Sequence, residues 1–435
     1  MKTLIKNAIT LERLMGGLGD NQMKVNLVVE GTKITQISTS QIHDDFHQVI
    51  DADGLFLSPG LVDPQVHFRE PGMEYKEDIE SGSRAAVKGG FCTVISMPNT
   101  SPVADHPHVI QNMLARAKEV ALCHVYPTGS LSINLAGKKL TDFKALKAAG
   151  AIAITDDGKG VQCDSLIEQA LMQAKQVGLA ILDHSEDERL SNQGAIHNGE
   201  IAKQFSVAGI DSDSESKHVE RGCALSLKTG GRYHVLHVST EKSIAAIRTA
   251  KAQGAPVTVE VSPHHLLLCD QDIKIKSDQT LDANWKMNPP LRSKQDMLAC
   301  QQALLDGTID AIATDHAPHT PAEKALDIEI APFGIIGLET AFPLMYTYFV
   351  KSGKLALGQC IDLMSKQAGA LFNLDCGRIK VGATADLVLF DLDNCFEVNE
   401  AFFASKSKNS PFIGYQLYGL TRMTMTAGNI VYQQG

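Results

Sequence analysis

Between about residues 58 and 350 one unit recurs eight times: a short apolar stretch runs into polar residues, and a segment with helical spacing follows. The strand-like pieces are GLVDPQVHF, CTVISMPNT, HVYPTGS, AIAITDDG, LAILDHSED, HVLHVST, VTVEVSPHH and AIATDHAPH. The helical pieces include DIESGSRAAVKGG, LIEQALMQAKQVG, KSIAAIRTAKAQG and MLACQQALLDG, several closing on a glycine suited to a left-handed cap. Nearly continuous apolar strands are those that helices cover on both faces. Eight strand–helix units therefore predict an α/β chain with a parallel (β/α)8 TIM barrel.

The ends of the chain differ. VNLVVEG and KITQIS near the start, and ADLVLFDLD and GNIVYQQ near the end, alternate as half-buried strands. They predict a small flanking β-sandwich domain built from 1–57 plus 377–435, around a barrel spanning 58–376. A length of 435 residues suits one large barrel with an accessory piece. The start, MKTLIKNAITLERL, reads as a first strand because Asn7 and Glu12 interrupt its apolar run.

Composition narrows the partners. A net charge of -10 and the lack of a basic stripe disfavour nucleic acid. No run approaches the roughly 18 apolar residues of a membrane span. Nine scattered cysteines, never spaced C-x-x-C, read as reduced thiols of a cytoplasmic protein.

Polar residues collect after the apolar part of each strand, at the barrel face that carries active sites. His67 closes strand one, Asp156 and Asp157 strand four, His184 strand five, His237 strand six and Asp315 strand eight. One such cluster is an ordinary loop entry. Several strands aiming imidazole and carboxylate at one mouth suit zinc or a related divalent ion. Gln65 stands out: an Asp-x-His-x-His strand end would carry histidine there. His264 and His265 read as packed residues or neighbours of a ligand. His43, His47, His106, His108, His197 and His218 have no partner spacing.

PGLVDPQVHFREPG, followed in order by MPNT, TDDG, DHSED, HVLHVST, PHH, KMNPPLR and DHAPH, resembles the bacterial type I dihydroorotases of the amidohydrolase superfamily. The likeness covers nearly the whole chain. It implies a metal-dependent interconversion of N-carbamoyl-L-aspartate and dihydroorotate, a step of pyrimidine biosynthesis, with small-molecule substrates. It implies a first metal position at His67, a carboxylate at Asp157 where other amidohydrolases carry a carbamylated lysine, and a second position at His184 and His237. Lys159 is thereby not a carbamylated ligand. Asp315 would be ligand and general base, and Arg69, Asn99, Asn288 and His319 would grip the substrate. An arginine fork suits a carboxylate despite the acidic chain. Gln65 departs from the family pattern, so one or two zinc ions are expected, with the first position weak.

Two other readings stand beside an active dihydroorotase. One is another cyclic amidohydrolase of the hydantoinase, dihydropyrimidinase or allantoinase type; TDDG in place of a lysine argues against it. The other is a non-catalytic homologue serving as a structural partner of aspartate carbamoyltransferase; the retained Asp157, His184, His237 and Asp315 argue against that. Homodimerisation and association with that transferase are left open by the resemblance.

Overall fold

The structure, a computed structural model, describes residues 1–434. Eight short parallel strands occupy the middle of the chain: β1 (Leu61–Val66), β2 (Phe91–Ser96), β3 (His124–Pro127, resumed at Gly129–Ser130), β4 (Ile154–Thr155), β5 (Ile181–Asp183), β6 (Tyr233–Val235), β7 (Val257–Val261) and β8 (Ala311–Ile312). Each pairs in parallel with the next in chain order. The last strand returns to the first. Val66 bridges His316, and the Asp63 carboxylate accepts from the Thr314 N–H at 3.0 Å. Every residue of β1 and β2 is buried, as covered strands require.

Helices alternate with these strands for local reasons. The helix Ile79–Lys88 starts at Asp78, whose carboxylate accepts from Ser81 N–H at 2.7 Å while the Ser81 hydroxyl returns to Asp78 N–H. Its buried face is small and apolar, with Ala85, Ala86 and Val87 turned inward. Asp164–Val177 stops at Gly178, with φ 70°. Glu241–Ala252 and Lys294–Leu305 are capped by Thr240 and Ser293 and turn away at Gly254 and Gly307, both left-handed.

The chain ends meet in one hydrogen-bonded sheet of eight strands rather than two separately bonded layers. Phe56–Pro59 from the front pairs antiparallel with Leu387–Asp391 from the back. The sheet shares its core with the parallel strands: Ile5, Leu27, Phe390 and Met425 belong to the same packed cluster as Phe91, Ile181 and Val259. Phe390 stacks on Phe342 with centroids 3.9 Å apart. Truncating such a fully buried phenylalanine to alanine costs about 3–5 kcal/mol. A second cluster joins loops of the parallel strands (Ile196, Leu268, Trp285, Ile335) to Val398, Phe403, Phe412 and Leu417. No helix is long and apolar enough to cross a membrane among the described residues.

Candidate metal centre and active site

The polar strand ends converge. A cavity of about 310 Å³ is lined by His67, Arg69, Asn99, Asp157, His184, His237, Asn288, Asp315 and His319, together with Pro332, Phe333 and Gly334. That is ample for a small cyclic amide. A roomier groove of about 470 Å³, among Glu220, Lys242 and small residues of the outer helices, holds neither histidine nor aspartate.

Asp157, His184 and His237 each turn one ligand atom into a common space, all within 4.8 Å of one another and all buried. His184 Nδ1 and His237 Nε2 are 3.1 Å apart, and Asp157 Oδ1 lies 3.5 and 3.6 Å from them. Two imidazole nitrogens and a carboxylate oxygen crowded together need a positive charge between them, and the set suits a divalent ion. Burial opposes charge on His184, but hydrogen bonds to Asp157 and Glu186 outweigh it and hold its pKa up at about 10. Burial alone would raise Asp157; its three histidine partners instead keep it ionised, well below the usual carboxylate range.

Asp157 faces two ways. Its other oxygen, Oδ2, lies 3.2 Å from His67 Nε2, which is also 3.1 Å from Asp315 Oδ1. Burial again works against a charged His67, and Asp157 and Asp315 prevail, raising it to about 9. His67 Nδ1–H donates to Asn99 Oδ1 at 2.9 Å, and Nε2 faces the carboxylates. Asp156, by contrast, is turned to β3, accepting from Ser132 N–H at 2.9 Å.

Gln65 is fully buried, and neither Nε2 nor Oε1 of its amide has a hydrogen-bond partner. Buried amides are almost always paired. Gln65 lies between Asp63 and His67 without lining the cavity.

On the far side, Arg69 is buried and has no carboxylate partner among the described residues; its Nε donates to Pro318 O at 3.3 Å. Burial lowers its pKa to about 10, which still leaves a full positive charge at neutral pH. Next to it, His319 is driven down to about 2 by burial and by the cations of Arg69 and Lys76. It is therefore neutral: Nε2–H donates to Phe333 O at 2.8 Å and Nδ1 accepts from Lys76 Nζ at 3.2 Å. Asn288 Nδ2 donates to Glu186 Oε2 at 2.7 Å.

Arg69, His237 and Asp315 have φ of 63°, 32° and 47°, left-handed values that side chains rarely adopt. Such backbone clusters at functional sites. All nine residues expected from the sequence are brought to one cavity, with Gln65 buried beside His67. Glu186 was not singled out from DHSED. It accepts from His184 Nε2 at 3.2 Å and so leaves His184 Nδ1 free to face Asp157 and His237. Its carboxylate character and its position two residues after His184 were the only available signal. His218, which lacks a spaced partner in sequence, meets Asp183 at 3.2 Å inside the fold.

Comparison with known proteins places the chain in a family. A profile described as Dihydro-orotase-like matches residues 54–243. The "Dihydroorotase" of Anoxybacillus flavithermus is 47% identical over 435 residues, covering 100% of this chain and 99% of that one. The chain belongs to the dihydroorotase family. The family member of Shouchella clausii is 50% identical over 390 residues, 90% of each chain. Among solved structures, the L-hydantoinase (dihydropyrimidinase) of Arthrobacter aurescens superposes with a TM-score of 0.86 at 25% identity, covering 100% of this chain and 96% of that one. A Thermus D-hydantoinase gives 0.85 at 26%, covering 99% and 95%. The architecture is thus shared with amidohydrolases at large, while the sequence stands much nearer the dihydroorotases.

Proposed function

We propose that this chain is a cytoplasmic dihydroorotase that reversibly hydrolyses (S)-dihydroorotate to N-carbamoyl-L-aspartate. The observation that carries the reading is one cavity holding both a metal-ready triad and a buried arginine without a carboxylate partner among the described residues, in a chain 47% identical to a dihydroorotase along its full length. The eight parallel strands are read as a closed (β/α)8 barrel over 58–376, with 1–57 and 377–435 forming the flanking β domain.

The donors fit a divalent ion, and imidazole with carboxylate favours zinc. Asp157, His184 and His237 would hold it. Bound there, the ion supplies Lewis acidity, which polarises a carbonyl and makes water a better nucleophile at neutral pH. The position beside His67 and Asp315 lacks its imidazole donor at Gln65, so one ion per chain is the expected content.

The chain's own groups do the rest. Arg69 offers a guanidinium fork to the substrate carboxylate, with neutral His319 beside it and Asn99 and Asn288 at the cavity wall. Asp315 takes the proton from water as it adds to the ring carbonyl carbon. The carbon–nitrogen bond then breaks and Asp315 returns that proton to the departing nitrogen. In reverse, the carbamoyl nitrogen attacks the carboxyl carbon and water leaves.

The test is metal analysis of the purified protein beside turnover of dihydroorotate, carbamoyl aspartate, hydantoin and allantoin. Turnover of the first pair alone supports the reading. Turnover of hydantoin or allantoin instead selects the other amidohydrolases. Metal without turnover, with co-elution of aspartate carbamoyltransferase, selects the structural partner.

A further inference from the structure

Residues 392–419 lie between two strands of the flanking sheet in sequence, yet they leave that sheet. A short antiparallel pair, Phe396–Glu397 with Gln416–Leu417, closes the excursion. Between them, 403–409 reads FASKSKN. Phe403, Ser405, Ser407 and Asn409 are buried, while Ala404, Lys406 and Lys408 are more exposed. This is a strap with strand-like alternation, except that three of its four inward residues are polar. Burying hydroxyls and an amide is unfavourable unless each finds a partner. Every one of them does, and the partners lead towards the cavity.

Ser405 Oγ donates to the buried Glu77 carboxylate, and the Ala404 and Ser405 N–H groups donate to Glu339. Ser407 Oγ donates to Lys76 O at 2.9 Å; the Lys76 ammonium in turn reaches His319 Nδ1. Asn409 goes furthest. Its Oδ1 accepts from His319 N–H at 3.2 Å, and its Nδ2 donates to Ala317 O and Gly334 O, each at 3.0 Å. Its own carbonyl accepts from Ile336 N–H at 3.0 Å. One side chain thus uses both amide ends on two separate loops, and Ala317, His319 and Gly334 all line the cavity. Those loops are pressed together at that point: a Cβ on Gly334 would lie 2.5 Å from Ala317 O and 2.9 Å from His319 Cδ2. Pro318, inside the clamped segment, is the acceptor that fixes Arg69 Nε.

We infer that Asn409, delivered by the 403–409 strap, is a positioning residue for substrate binding: it clamps 317–319 to Gly334 and thereby aims His319 and Arg69 at the substrate carboxylate. This rests on the proposed dihydroorotase activity. Only an amide fits the role. A carboxylate would set an anionic oxygen against two carbonyls, and alanine would leave an N–H and two carbonyls without their partner.

The experiment compares Asn409→Ala and Asn409→Asp with the parent in the metal-loaded full chain. Thr424→Val is the control, because Thr424 is equally buried and bonds Val87 O at 2.6 Å in the flanking sheet. KM for dihydroorotate, kcat, metal content and Tm are read together. Both Asn409 variants are expected to raise KM on the order of tenfold, with kcat changed much less and metal content unchanged. Thr424→Val is expected to lower Tm at constant KM. If KM stays within twofold of the parent in both Asn409 variants, or if it tracks Tm in the control as well, the inference is overturned. Failure of both variants to fold would also overturn it, since Asn409 would then be a fold determinant. An inactive parent protein would instead refute the activity on which the inference rests.

Discussion

On the proposed reading, Gln65→His supplies an imidazole donor at the first metal position. In the parent, Gln65 keeps a buried amide unpaired at both ends, a cost of about 1–3 kcal/mol for each unsatisfied group. An imidazole there would have a use for its nitrogen beside His67 Nε2, which lies 3.2 Å from Asp157 Oδ2 and 3.1 Å from Asp315 Oδ1. The expected result is a rise from one bound divalent ion per chain to two. An ion held at a hundred times its Kd adds about 2.7 kcal/mol to stability. With an unfolding entropy of about 2.1 cal/mol/K per residue over 435 residues, that is about 3 °C in Tm. Metal analysis of the dialysed protein and calorimetry with and without chelator read both quantities, and turnover is measured on the same samples. The activity should equal or exceed the parent's, since in the proposed function a single ion held by Asp157, His184 and His237 would supply the Lewis acid. Should the variant bind no more metal than the parent, with Tm unmoved by zinc, Gln65 does not stand at a ligand position and the one-ion reading loses its physical basis.

Asp315→Asn is expected to lower kcat by about 10² to 10⁴, because an amide cannot carry the proton to the leaving nitrogen; near-normal steady-state turnover would assign the base elsewhere. For Arg69→Lys the charge survives and the fork does not, so KM for dihydroorotate should rise clearly, and an unchanged KM would move the carboxylate anchor. Glu186→Gln keeps an acceptor for His184 Nε2 but removes the charge that raises its basicity. Metal affinity in a competitive chelator titration should fall about 10- to 100-fold, and equal affinity would make Glu186 a wall residue only.

The sequence carried the parallel strands well because each pairs an apolar run with a polar end, a contrast that survives without coordinates. The polar ends were equally visible: His67, Asp157, His184, His237 and Asp315 line one cavity. What side chains do to one another was not. Asn99 and Asn288 read as substrate contacts and both line the cavity, and in the folded chain Asn99 Oδ1 also accepts from His67 Nδ1 and Asn288 Nδ2 donates to Glu186. Residue type gives an amide, and only three-dimensional placement says which end is spoken for. The 403–409 strap escaped for a related reason. Its period of two is real, but serine and asparagine occupy the inward positions, so a search for alternating apolar residues passes over it. The edge of the flanking sheet was visible as strands, whereas its bonding into a single sheet depends on the pairing of Phe56–Pro59 with Leu387–Asp391, some 330 residues apart in sequence.

The left-handed backbone at Arg69, His237 and Asp315 sets the terms on which this protein can change. Such conformations cost of order 1–3 kcal/mol each and are sustained by the surrounding packing. Selection for heat resistance alone would therefore find gains at these three positions, by substitution with glycine, and each gain would remove a group that the proposed chemistry uses. Variants recovered from a screen for thermal tolerance without a screen for turnover should be enriched there, whereas variants recovered under both pressures should gather in the outer helices and the flanking sheet.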